Sequence, residues 1–149
     1  MNSTAQQILR AAEVQRDYGI ELVKLSHTQR DLIEAEQYSS LIEVLQHKQS
    51  ILDRLHDPST TNHQHLKQWP NIRKTLSLQE RHSIEAILED TERRFAELAQ
   101  QEALCTQMLQ TQRDQTAVQL KKLSQSNNAR ATYQSVLAPD TQSRIDFVQ

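Results

Sequence analysis

Six histidines, one cysteine and a series of carboxylates are the residues whose types could do chemistry. His63 and His65 flank Gln64 and could take a metal ion. No HExxH or CxxC spacing accompanies them, so they read as histidines of a polar linker. Cys105 recurs at helical spacing with Phe95, Leu98 and Leu109, the place of a small buried hydrophobe rather than a nucleophile. Glu34, Glu36, Glu80, Glu85, Glu89, Asp90 and Glu92 stand among Lys and Arg. Glu89 with Arg93 and Asp90 with Arg94 form i,i+4 surface pairs, each worth a few tenths of a kcal/mol. No Glu-x-x-His supports a di-metal carboxylate bundle. Lys67, Arg73, Lys74 and Arg81, and further on Lys121 and Lys122, lack the interleaved aromatics and basic excess of a nucleic-acid face and read as solvated. Gly19 alone cannot build a GxGxxG or GxxxxGK[ST] loop. No catalytic group, cofactor or metal is expected, and the chain does not read as an enzyme.

The elements that carry these residues follow from composition. The 149 residues include 1 Gly, 3 Pro, 2 Phe, 1 Trp and 21 Gln, with a net charge of −2. Sheets and tight turns draw on glycine, aromatic and β-branched residues, so this composition argues for an all-α fold in one domain. A single cysteine fits a reducing compartment. The N-terminal MNSTAQQILR lacks a signal-peptide pattern, and no apolar run approaches the roughly 20 residues of a membrane span. The expectation is a cytoplasmic protein with no membrane insertion and no nucleic-acid partner.

Proline at 58, 70 and 139 divides the chain. A first helix is expected over 4–56, capped by Ser3 or Thr4 and striped by Ile8, Leu9, Ala12, Leu22, Leu25, Leu32, Leu41, Leu45, Leu52 and Leu55. Gly19, inside it, costs about 1 kcal/mol relative to Ala and marks a bend or weak point. The helix should stop at Asp57-Pro58. Residues 57–76 form a linker in which Leu66, Trp69 and Ile72 pin a short helical turn. Ser77-Leu78-Gln79-Glu80 is a capping box opening a second helix over 77–126. Its seam runs Ile84, Leu88, Thr91, Phe95, Leu98, Glu102, Cys105, Leu109, then fades through Gln112, Thr116 and Gln119. Asn127-Asn128 is the expected break, and residues 129–149 form a C-terminal segment with a short helix ended at Ala138-Pro139. Two long amphipathic helices joined by about 20 residues should fold back as an elongated antiparallel hairpin, coiled-coil-like, with a thin core.

Apolar residues beyond the fading seam are the remaining signal. Leu120, Leu123, Tyr133, Val136 and Leu137 outrun the first helix. They suit helix-in-groove recognition of a protein partner, or an end-capping helix folded back on the hairpin.

The segment 31–55, DLIEAEQYSSLIEVLQHKQSILDRL, resembles the first long helix of the FlgN-type flagellar export chaperones, with Leu41, Leu45, Lys48, Leu52 and Leu55 at the matching positions. RATYQSV followed by SRIDFVQ resembles that family's closing segment, matching at Tyr133, Ile145 and Asp146. The middle of the chain matches only in being a long helix, and Pro139 replaces the glycine usual near the family's tail. The resemblance implies a cytoplasmic chaperone of flagellar type III export. Such a protein binds the C-terminal helices of the hook–filament junction proteins and delivers them to the export gate, with at most a weak homodimer of its own. Tyr133 would contact the client or the gate, unless it only packs in the last turn. A structural coiled-coil homodimer and a chaperone of a virulence-type secretion system are the alternative functions.

Overall fold

The structure, a computed structural model, describes residues 3–137. The elements are α1 (Ser3–Glu34), α2 (Tyr38–His56), α3 (Thr61–Lys67), α4 (Trp69–Ile72), a 3-10 turn (Arg73–Thr75) and α5 (Leu78–Leu137). The fold is all-α, with no strand among the described residues. The chain divides into two compact units, Met1–Met108 and Leu109–Gln149.

In the first unit, the stretch expected as one helix over 4–56 is two. α1 ends in a Schellman motif: Gln37 N–H donates to Leu32 O at 2.9 Å and Glu36 N–H to Ile33 O at 3.1 Å. Glu36 occupies the left-handed position, with φ 56°. No glycine or proline signals this break, which is why the spacing alone reads straight through it. The reversal lays α2 antiparallel to α1, and His47 Nε2 lies 3.2 Å from Glu21 Oε1 across the pair. α2 then stops as expected, with Asp57 extended ahead of Pro58.

α1 runs unbroken through Gly19. That residue is buried, and a Cβ built there would lie 3.4 Å from Arg94 Cβ and 3.9 Å from the Phe95 ring. The space there fits a methyl group in ordinary contact with α5 but nothing much larger. Contacts between these helices advance together: Ile8 clusters with Ile84, Gly19 meets Arg94 and Phe95, and Ser26 bonds Glu102. α1 and α5 are therefore parallel in this unit, and α2 runs antiparallel to both. The antiparallel pairing expected between the two long stretches is realised by α2 against α5.

The linker is more helical than its composition suggests. Thr60 caps α3 by accepting from His63 N–H at 3.3 Å, and Pro70 sits in the first turn of α4, where its missing N–H costs nothing. Trp69, Ile72 and Leu76 close over Ala5, Ile8, Leu9, Ile84 and Leu88. Ser77 opens α5 as expected, its Oγ accepting from Glu80 N–H at 3.2 Å. The Ser77 hydroxyl also donates to Glu80 Oε1 at 3.2 Å, so the carboxylate returns to the side chain of the cap.

In the second unit, α5 runs unbroken through Asn127-Asn128 to Leu137. Residues 129–137 are thus its last turns rather than a separate helix. Asparagine costs only several tenths of a kcal/mol in a helix interior, and neither Gly nor Pro occurs between 71 and 138. The expected stop at Ala138-Pro139, and Ile145, Asp146, Phe147 and Val148 of the tail, lie outside the described residues.

Candidate partner-binding surfaces

The predicted partner-binding residues all lie on α5 in the second unit. Leu120 and Leu123 are each 61% exposed, Tyr133 66% and Val136 75%; Leu137 is the last described residue of the helix. Their exposure follows from the sequence, since the seam residues that would bury this stretch give way to Gln, Thr, Lys and Asn after Leu109.

These residues do not form one stripe. At about 100° per residue, Leu120 and Leu123 point to one side of the helix, and Tyr133 with Val136 point about 140° away from it. Val118, 53% exposed, shares the Tyr133 side. The structure therefore offers two short apolar patches, each an i,i+3 pair, with Lys121 and Lys122 beside the first.

A second surface lies in the first unit. Leu45, Gln49 and Leu52 of α2 face Phe95, Leu98 and Ala99 of α5 across an open, mainly apolar groove of about 450 Å³, with Lys48 and Glu102 at its wall. Sequence spacing places Leu45 and Leu52 in the core stripe. In the structure the most deeply buried residues of α2 are Leu41, Lys48 and Ile51. That stripe is the 41–48–51 set, one position round from Leu45 and Leu52, which are left at the groove. Leu45 is exposed and Leu52 half-buried as a result.

Beneath the groove sits a polar cluster that spacing does not single out. Lys48 is 5% exposed; its Nζ donates to Gln29 Oε1 at 2.6 Å and pairs with the Glu102 carboxylate. Ser26 Oγ donates to Glu102 Oε1 at 3.2 Å, and Gln29 is 3% exposed. Burial lowers the Lys48 pKa, and the neighbouring Cys105 acts in the opposite direction. Burial likewise raises the Cys105 thiol, against the pull of Lys48 and Arg30. A raised thiol pKa in a buried side chain is the environment of an inert cysteine. The only sequence signal for this cluster is that Gln29, Lys48 and Glu102 each fall on an apolar repeat.

The remaining candidates stay ordinary. Arg73 pairs with Glu85 at 3.1 Å and Arg81 Nε bonds Arg73 O at 3.0 Å, so half of the basic linker cluster is spent on local structure. His63 and His65 lie on α3, beside a cleft of about 60 Å³ that His63 lines with Tyr18, Arg54 and Leu66. Among the described residues no three His, Cys, Asp or Glu side chains come together as a metal site. None of the described helices is long and apolar enough to cross a membrane. No family model, no curated protein and no solved structure matches the chain.

Proposed function

We propose that the chain is a chaperone of the flagellar type III export system, of the FlgN type. It would work in the cytoplasm, holding the C-terminal helices of hook–filament junction proteins and passing them to the export gate. The observation that carries this is the exposure of Leu120, Leu123, Tyr133 and Val136 on a helix the chain builds to its full length. Amphipathic client helices aggregate when their apolar faces are bare. Two i,i+3 apolar pairs on a helix offer such a face a reversible partner, with no covalent step.

The test is calorimetry with junction-protein C-terminal segments and the full chain. One-to-one binding is expected. Leu120→Glu with Leu123→Glu should abolish it, or Tyr133→Glu with Val136→Glu should, according to which patch the client reads. No binding to either segment by a chain that forms a stable, concentration-independent dimer would sink the chaperone reading in favour of a structural scaffold.

A further inference from the structure

Three helices of the first unit meet at a concavity separate from the groove and different in chemistry. Val14 and Tyr18 stand one turn apart on α1, and Arg54 and Leu55 lie in the last turn of α2. His63 and Leu66 share a side of α3, whose start the Thr60 cap fixes. Together they line a cleft of about 60 Å³. We propose that this cleft binds a carboxylate on a short aliphatic stem, its charged head at Arg54, Tyr18 and His63 and its stem among Val14, Leu55 and Leu66.

Charge, polarity and size each narrow the ligand. Among the described residues no Asp or Glu lines the cleft, and the Arg54 guanidinium has no acidic partner. Asp57, the carboxylate that interacts with His63, lies outside the lining and is held by the Ser59 hydroxyl and N–H at 2.7 and 2.9 Å. A guanidinium with an imidazole and a phenol beside it suits the two oxygens of a carboxylate and repels a cation. Val14, Leu55 and Leu66 are half-buried whereas Arg54 and His63 are exposed, so the apolar surface lies deeper than the charge. A bare inorganic anion would leave that apolar part uncovered; a charged head with an apolar tail fills both. A water occupies about 10–15 Å³ on this measure, so the cleft holds about four to six non-hydrogen atoms, a carboxylate with one to three further carbons. A free short-chain acid and a glutamate side chain both present that head and stem. The site lies wholly in the first unit and does not rest on the client reading.

The experiment is a nuclear magnetic resonance titration of the full chain with butyrate and with glutamate blocked at both ends, using inorganic phosphate and butylamine as controls. Saturable shifts at Val14, Tyr18, Leu55 and Leu66 are expected, with a dissociation constant in the millimolar range, as so few ligand atoms allow. Phosphate, which has no stem, should bind roughly tenfold more weakly or worse, and butylamine, of the wrong charge, should not bind. Arg54 is exposed, so Arg54→Gln leaves the fold intact and should weaken butyrate roughly tenfold or more. Arg10→Gln, at an exposed arginine of α1 outside the cleft, should change nothing. Whichever of the two carboxylates binds tighter tells a free acid from a glutamate of another protein. Absence of saturable shifts with both overturns the proposal. So does phosphate that binds as well as butyrate, or an Arg54→Gln chain that binds butyrate as well as Arg10→Gln does.

Discussion

Lys48 separates two accounts of what holds the first unit together. Its ammonium is buried between Gln29 and Glu102, yet its four-carbon stem also fills the junction of α1, α2 and α5. Lys48→Ala removes three buried methylenes, about 2.4 kcal/mol at roughly 0.8 each. It also leaves Gln29 Oε1 bare, at about 1–3 kcal/mol, and returns about 2 kcal/mol of side-chain entropy. Glu102 adds little, because its side chain is 44% exposed and water can take over its oxygens. The net loss should be about 2–3 kcal/mol. Lys48→Met leaves the same acceptor bare and ends the same burial of a charge, but it keeps the stem and avoids the cavity, so it should cost about 2 kcal/mol less than Lys48→Ala. Adding Gln29→Leu to Lys48→Met removes the bare acceptor and should recover stability to wild type or above. Urea unfolding followed by circular dichroism measures all three variants. If Lys48→Met is as damaging as Lys48→Ala, the ion pair and not the stem holds the junction, and the reasoning is refuted. The pH dependence has a fixed sign. The folded-state pKa of Lys48 lies below its unfolded value, so the folded chain sheds this proton first as pH rises. Wild type should gain on Lys48→Met as pH climbs from the folded pKa towards 10.5.

Glu36→Gly places a residue without Cβ at the left-handed end of α1 and should stabilise the first unit by about 0.5–1 kcal/mol, read from urea midpoints. Gly19→Ala puts a Cβ in ordinary contact with Arg94 and should gain up to about 1 kcal/mol of helix propensity. Gly19→Leu should instead push α1 from α5 and cost about 1–3 kcal/mol; equal effects of the two substitutions would deny the close approach. Ser77→Ala removes the cap of α5 and should cost about 1 kcal/mol. Asp57 is held below its usual pKa by the Ser59 hydroxyl and backbone N–H, at 2.7 and 2.9 Å. Its contribution is therefore present above pH 3.8 and lost as pH falls through the lower folded value, which acid titrations of wild type and Asp57→Asn should separate.

Much of α5 was legible because one physical rule governs it. The seam from Ile84 to Leu109 alternates steps of four and three, and Ile84, Thr91 and Cys105 on it are buried while Phe95, Leu98 and Glu102 are half-buried. Its capping box and the stop of α2 before Pro58 are local chemistry and equally readable. The α1–α2 turn was not, because its left-handed residue is a glutamate, and the carbonyls that end α1 are satisfied only by the chain reversing. Gly19 misleads for a related reason: helix propensity describes an isolated helix, while in the fold α1 continues through Gly19, buried against α5. Among the candidate residues, the exposure of Leu120 and Leu123 follows from the loss of the seam. Their separation from Tyr133 and Val136 follows from counting turns. The groove of Leu45, Leu52, Phe95 and Leu98 depends on which side of α2 faces α1, which apolar spacing leaves open by one position.

Amide exchange of residues 109–137, with and without a junction-protein C-terminal segment, tests the chaperone reading most directly. Fast exchange in the free chain at low concentration, slowed around Leu120–Leu123 or Tyr133–Val136 when the segment is added, is the predicted result. Protection of the whole stretch without any segment, unchanged when one is supplied, would contradict it.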